Sequence, residues 1–252
     1  MAARKLLRRK YRDLEGEFLV EGRRAVLDAL RSRAEVTKVF VSTDADGAEE
    51  ITEAARSASV RVVETSRSVA ASLSDSVTPQ GIVAVVHAPA SDLSAIPQNA
   101  DLVVVLAAVR DPGNAGTLVR SAVAAGAHAV VFGAGSVDPF GPKTVRAAAG
   151  SFFSATVIRD IDVPAALAHL HTAGFSLVGA DARASTAPEQ VDLTTRVALV
   201  VGNEAWGLPA EMRDLLDVTV GIPMPGPVES LNVGIAGSIL LFEAVRQRRR
   251  AH

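Results

Sequence analysis

Side chains able to do chemistry gather near the C-terminus. Val197-Ala198-Leu199-Val200-Val201-Gly202-Asn203-Glu204 is followed by Trp206-Gly207-Leu208-Pro209. Gly221-Ile222-Pro223-Met224 then runs through Gly226-Pro227-Val228-Glu229-Ser230-Leu231-Asn232-Val233 into a stretch of small residues. Two buried strands therefore end in glycine- and proline-rich loops that carry a carboxylate, a hydroxyl and an amide. In an open α/β sheet, ligands collect at the carboxyl ends of strands, where loop backbone groups left unpaired by the sheet can meet them. This part of the chain reads as a site.

The elements that must position it alternate strand and helix. Strands are predicted at 102–109, 129–132, 154–158, 175–180, 197–201 and 218–222, with helices after Asp111 and at about 142–149, 162–173, 209–216 and 230–249. Near-continuous apolar strands separated by helices mean a mostly parallel sheet covered on both faces. After the first of these strands, Asn114 is placed as the cap of a helix that Gly126 stops. Upstream, 14–33 reads as an amphipathic helix. Strands at 36–41, 60–63 and 82–86 then alternate with helices at 46–57 and 66–74, giving a small α/β layer. The stretch 88–100, with two prolines, two serines and no strong period, reads as a linker. The expected organisation is a first domain over 1–90, a linker over 91–100 and a second domain over 101–252.

At 252 residues and 48% hydrophobic, the chain can bury a real core. Its longest apolar run, 102–109, is far short of the ~18 residues a bilayer span needs, and no secretory signal is expected. The absence of cysteine excludes disulfides and thiol catalysis, and a cytoplasmic location is inferred. The net charge of −2 hides an asymmetry: Arg4, Lys5, Arg8, Arg9, Lys10 and Arg12 open the chain without an acid, and Arg246, Arg248, Arg249 and Arg250 close it. Outside these ten, 16 basic residues face 28 acidic ones. Basic ends on an acidic body suit a polyanion held at chosen places, and they equally suit solvated, frayed termini.

Several familiar motifs fail. Gly133-Ala134-Gly135 lacks the third glycine of a dinucleotide fingerprint, where Asp138 stands instead. Gly141-Pro142-Lys143-Thr144 approaches a phosphate loop, but the proline removes an amide donor. His169 and His171 point to different sides of a predicted helix, and His87, His128 and His252 share no ligand spacing with them, so no metal is assigned. No serine lies in a G-x-S-x-G elbow.

Three segments remain, and they match one family in order and type. Asn114-Ala115-Gly116-Thr117-Leu118-Val119-Arg120, Val201-Gly202-Asn203-Glu204-Ala205-Trp206-Gly207, and Ile222-Pro223-Met224 with Ser230-Leu231-Asn232 resemble the signature motifs of the SpoU (TrmH-like) RNA 2′-O-ribose methyltransferases. The preceding unit is similar to the L30e-like RNA-binding domain of ribosomal-RNA members, with Phe18-Leu19-Val20-Glu21-Gly22 near its start and Gln80-Gly81-Ile82-Val83-Ala84 near its end. The resemblance implies an S-adenosylmethionine-dependent enzyme that methylates a ribose hydroxyl of RNA, most readily 23S ribosomal RNA, as a homodimer with a C-terminal trefoil knot. Transfer-RNA methylation, a noncatalytic RNA-binding protein on the same scaffold, and a small-molecule binder of general α/β type stand as alternatives.

Under that resemblance Gly202, Asn203, Glu204, Gly207, Ile222, Pro223, Met224 and Leu231 form the cofactor slot, its glycines admitting close backbone approach. Asn114, Arg120, Glu204, Ser230 and Asn232 form the catalytic set. The family's arginine, Arg120 here, acts on the ribose hydroxyl. A guanidinium is too weak a base for that role, so a phosphate clamp that orients the hydroxyl is preferred and the proton's destination stays open. Glu204 is expected to pair with Arg120 or to attract the sulfonium. Ser230 has two readings, helix cap or substrate contact, and Trp206 two, packing or stacking. Lys143 and Arg146 join the basic N-terminal residues as candidate RNA contacts, with a solvated face as the alternative.

Overall fold

A computed structural model describes residues 2–89 and 92–251. His252, and Ala90 and Ser91 at the expected linker, lie outside the described residues. In chain order the elements are α1 (Arg9–Glu15), β1 (Glu17–Glu21), α2 (Arg23–Arg31), β2 (Val36–Ser42), α3 (Ala48–Ser57), β3 (Arg61–Thr65), α4 (Arg67–Ala71), β4 (Ile82–His87), β5 (Leu102–Leu106), α5 (Pro112–Ala124), β6 (Ala129–Gly133), α6 (Pro142–Ala147), β7 (Thr156–Ile161), α7 (Val163–Thr172), β8 (Ser176–Ala180), β9 (Val197–Val201), α8 (Ala210–Arg213), β10 (Val218–Val220) and α9 (Val233–Ala251). They form two compact units, Met1–Pro89 with Asp138–Ser154, and Ala90–Val137 with Ala155–His252.

The first unit holds a mixed sheet in the order β1-β4-β2-β3, in which only the β2–β3 pair is parallel. The helix expected over 14–33 is broken in two by a strand. Gly16 and Gly22 take left-handed or extended positive φ of 64° and 97°, which ends α1 and starts α2. Between them Phe18-Leu19-Val20 is a fully buried run paired to β4, so burial on both faces overrode the helical period. Residues 138–154, read from the sequence as part of the second domain, complete this unit's core. Phe140 and Phe152 pack tilted against Phe18 with ring centroids 4.9 and 5.8 Å away, and meet each other edge-on at 5.7 Å. The basic opening is folded, through a 3₁₀ turn over Ala2–Leu7 and then α1, with Ala3 and Leu6 buried.

The second unit is a six-stranded sheet, β10-β8-β9-β5-β6-β7, with every pair parallel. Every residue of β5, β6 and β9 is buried, as expected for central strands covered on both faces. Val103, Val105, Val131, Ile158, Leu167, Leu170, Leu177 and Val200 share one core, each contributing about 1.5–3 kcal/mol relative to exposure. The last helix packs on α5 through its small residues: an added Cβ at Gly237 would lie 2.4 Å from Leu118, and Ser238 and Ser121 hydroxyls bond at 2.7 Å. No helix among the described residues is long and apolar enough to cross a membrane.

Candidate active site

β5 and β9 are neighbours at the point where chain order across the sheet reverses, β6 and β7 lying on one side and β9, β8 and β10 on the other. Loops leaving adjacent strands at such a reversal diverge and open a crevice above the sheet's carboxyl edge. Here the loops are 107–111 after β5 and 202–207 after β9.

One carboxylate ties them. Glu204 accepts from the Arg110 backbone N–H at 3.2 Å to each oxygen, from Asp111 N–H at 2.9 Å, and from Asn114 Nδ2 at 3.2 Å. Burial works against its charge, but the backbone N–H groups of Asp111, Glu204 and Arg110 and the Asn114 amide outweigh it and hold its carboxyl below the usual range. Next to it, buried Asn203 donates from Nδ2 to the Ala108 carbonyl at 2.7 Å. That bond steadies Ala108 at φ 62°, a left-handed conformation costly for a residue with a Cβ.

The 202–207 loop closes on itself. Asn203 and Gly207 exchange both backbone hydrogen bonds, at 3.0 and 2.9 Å, and Ala205 N–H binds Asn203 Oδ1 at 2.8 Å. An added Cβ at Gly202 would lie 2.4–2.6 Å from the backbone of Gly207 and Leu208. Gly202 is thus required by the loop's own backbone. Gly207, with φ 68°, faces open space: a Cβ there would meet nothing within 4 Å.

The third loop, 221–232, enters through Asn232. Its Nδ2 donates to Asn114 Oδ1 at 2.8 Å, while its Oδ1 accepts from the N–H groups of Gly234 and Ile235 at 2.9 and 3.2 Å. Asn232 is therefore the N-cap of α9, so the capping role read for Ser230 belongs to Asn232, and Ser230 is exposed. The cap of α5 also differs from the sequence reading. Asp111 caps it, its side chain accepting from Asn114 N–H at 2.8 Å, with Pro112 following. Asn114 is released by this to bridge Glu204 and Asn232. The Asp-Pro pair was the legible signal for the cap.

The structure thus joins Asn114, Glu204 and Asn232 in one hydrogen-bonded set, while Asn203 ties the same loop to Ala108. Glu204 does not take Arg120 as partner, because it is filled by loop donors. Arg120 is exposed on α5, about 120° around the helix from Asn114, and makes no hydrogen bond or ion pair with a described residue. Ile222, Met224 and Leu231 are part-exposed apolar groups on the third loop, and Pro223 is exposed. Arg110 and Asp111, which the sequence reading did not single out, are the backbone anchors of the set.

Two candidate RNA contacts are spent inside the first unit. Arg12 is buried and clamps Asp138 from Nε and Nη2, at 2.9 and 2.6 Å, while donating to the Leu6 carbonyl at 2.8 Å. Arg146 pairs with Asp75 and, at 3.3 Å, with Glu21. Their partners are far away in sequence, which is why a sequence reading leaves both cations free. Arg4, Lys5, Arg8, Arg9, Lys10 and Lys143 are exposed, with Lys5 over the Tyr11 ring at 5.5 Å and Arg9 3.6 Å from Asp13. Among the described residues, no group of three or more His, Asp or Glu side chains is placed to hold a metal ion.

The family model described as the SpoU rRNA Methylase family matches residues 101–242. The chain belongs to this family. A second model, the MRM3-like substrate binding domain, matches residues 1–84, so the SpoU unit here follows a separate substrate-binding unit. The 23S rRNA (guanosine(2553)-2′-O)-methyltransferase RlmP of Bacillus subtilis is 33% identical over 95% of this chain and 92% of its own. The 23S rRNA (uridine(2479)-2′-O)-methyltransferase of Streptomyces viridochromogenes is 36% identical over 95% and 86%. The crystal structure of the SpoU methyltransferase AviRb from Streptomyces viridochromogenes, in complex with AdoMet, superposes with a TM-score of 0.89 at 33% identity, covering 98% of this chain and 97% of that one.

Proposed function

We propose that this chain is an S-adenosylmethionine-dependent methyltransferase acting on a ribose 2′-hydroxyl of 23S ribosomal RNA. The observation that carries the reading is the continuous chain of bonds from Asn232 through Asn114 to Glu204, which draws the three motif loops into one crevice at the strand-order reversal. The residues suit the cofactor. Space opens at Gly207 and Gly226, where an added Cβ would meet nothing within 4 Å, and Ile222, Met224 and Leu231 on the third loop are part-exposed apolar groups. Gly202, Asn203, Glu204, Gly207, Ile222, Pro223, Met224 and Leu231 would hold it.

When bound, the cofactor supplies an electrophilic methyl group. The chain's own contribution is placement. Asn114, fixed from both sides by Glu204 and Asn232, is a rigid polar group able to meet the ribose. Arg120, whose guanidinium has no ion pair or hydrogen bond with a described residue, is available to clamp a substrate phosphate and aim the hydroxyl. Ser230, exposed on the third loop, is a further substrate contact. The exposed cations Arg4, Lys5, Arg8, Arg9, Lys10 and Lys143 add nonspecific affinity for RNA phosphates.

The protein acts in the cytoplasm as a homodimer, and its C-terminal chain is knotted. Ile235, Ile239 and Phe242, each about half exposed, form one stripe along α9 at spacings of four and three, an apolar face that a second copy would cover.

The test is single-turnover methyl transfer to unmodified 23S ribosomal RNA at saturating cofactor, with calorimetry of cofactor binding. Arg120→Ala and Asn114→Ala are expected to lose transfer far more than cofactor affinity, since contacts made mainly in the transition state appear in the rate. Arg120→Lys stays strongly impaired if the planar fork matters. Wild-type rates from both alanine variants remove α5 from the catalytic centre, and transfer to tRNA alone reassigns the substrate.

A further inference from the structure

Trp206, the chain's single tryptophan, is 51% exposed, and the Arg110 guanidinium lies over its ring, 5.1 Å from the centroid. We propose that Arg110 and Trp206 form a stacking platform that receives a base of the RNA substrate beside the target nucleotide. The proposal rests on the RNA-methyltransferase reading above and adds a substrate contact to it.

Neither side chain is buried where it stands. A half-exposed indole forfeits the burial that makes tryptophan valuable in a core, and a cation over an exposed ring gains little by itself. Both are nevertheless held firmly by their backbones. Arg110 N–H is bound by both Glu204 oxygens at 3.2 Å, and Trp206 sits inside the closed Asn203–Gly207 bridge. The carboxylate that fixes Arg110 also takes Asn114 Nδ2 at 3.2 Å, so platform and catalytic amide share one frame.

The chemistry selects the occupant. The Arg110 guanidinium is exposed and makes no ion pair with a described residue, while the Glu204 carboxylate keeps its own charge among neutral N–H donors. The guanidinium itself is a fork of donors that suits a phosphate. RNA offers both complements at once, a flat base for the indole and guanidinium planes and a phosphate for the charge. Bases splayed from single-stranded RNA are held in this way, and stacking tolerates any base because each has a π-face.

The lone tryptophan makes the test direct, since emission excited at its red edge reports Trp206 alone. The protein is titrated with oligouridylate, with oligoadenylate, with an unmodified ribosomal RNA fragment, with polyphosphate as a charge control, and with S-adenosylmethionine. Methyl transfer by the wild type is measured in parallel. Quenching by all three RNAs is expected, with polyphosphate and the cofactor alone leaving emission unchanged. Trp206→Ala is expected to bind RNA about tenfold or more weakly with cofactor affinity intact, raising KM more than it lowers kcat, while Trp206→Phe recovers part of the loss.

Three results each overturn the platform: quenching by the cofactor alone, emission that changes with protein concentration without RNA as a second copy covers the ring, or wild-type RNA affinity in Trp206→Ala. A wild type that transfers methyl to RNA while its emission ignores RNA removes the platform and leaves the function standing. A wild type that transfers none removes both.

Discussion

Replacing Glu204 by glutamine keeps the shape of the side chain and removes the charge that three donors share. The carboxylate accepts from Arg110 N–H, Asp111 N–H and Asn114 Nδ2. An amide has one acceptor oxygen, and its NH₂ group would face the Arg110 N–H. Bonds to a charged acceptor are worth about 1.5–3 kcal/mol and neutral ones about 0.5–1.5. At this solvent-accessible site the low ends apply, and water partly replaces the lost bond, so the loop anchor weakens by about 1–2 kcal/mol. That corresponds to about 5- to 30-fold more frequent local opening. Native-state hydrogen exchange reads it: the Arg110 and Asp111 amides lose about that factor of protection, while amides in the middle of β5 stay as in the wild type. The pH dependence gives a second signature. Because the folded-state pKa of Glu204 is depressed, its contribution is complete above the ordinary glutamate range and disappears as pH falls through the folded value. The wild-type amides therefore lose protection in acid by a step that Glu204→Gln lacks. Unchanged protection of both amides, with β5 also unchanged, refutes the account of Glu204 as the clasp between the loops.

Arg12→Ala leaves Asp138 buried without its bidentate partner, and chemical unfolding should find the first unit about 3–5 kcal/mol less stable; a loss below 1 kcal/mol contradicts the buried pair. Gly202→Ala drives a Cβ into the backbone of Gly207 and Leu208 and should cost about 1–3 kcal/mol together with cofactor affinity, which thermal melts and calorimetry check. Phe242→Glu on the exposed stripe of α9 should yield a folded monomer in sedimentation, whereas an unchanged mass moves the dimer contact elsewhere.

The second unit was legible because its physics is local. Strands that are apolar at every position can only be central, and the run 197–201 appears as a strand at those same residues. The motif loops announced themselves through glycine and proline after such runs. What escaped depended on partners distant in sequence. Arg12 looks like an arm cation until Asp138 arrives 126 residues later, and Arg146 like a surface one until Glu21 and Asp75 close on it. At β1 the failure was of another kind, since Phe18-Leu19-Val20 is buried on both faces and carries no period to separate strand from helix. Asn114 was expected as the cap of α5, but its neighbour Asp111 holds it. Nothing in the sequence foretold that Asn232 would spend one end of its amide on α9 and the other on Asn114.

The first unit is discontinuous, and this has a consequence for synthesis. Its core ring Phe18 waits for Phe140 and Phe152, and its buried Arg12 waits for Asp138. A ribosome that has delivered the chain only as far as residue 100 has therefore released a sheet with one side of its core bare and a guanidinium without its counter-charge. Folding of this unit completes only after Ser154 has emerged, by which time β5, α5 and β6 of the other unit are already outside. The order of birth is thus not the order of completion. A chain severed at the linker, where a protein engineer would naturally cut, lacks Phe140, Phe152 and Asp138 and so leaves Phe18 and Arg12 without those partners.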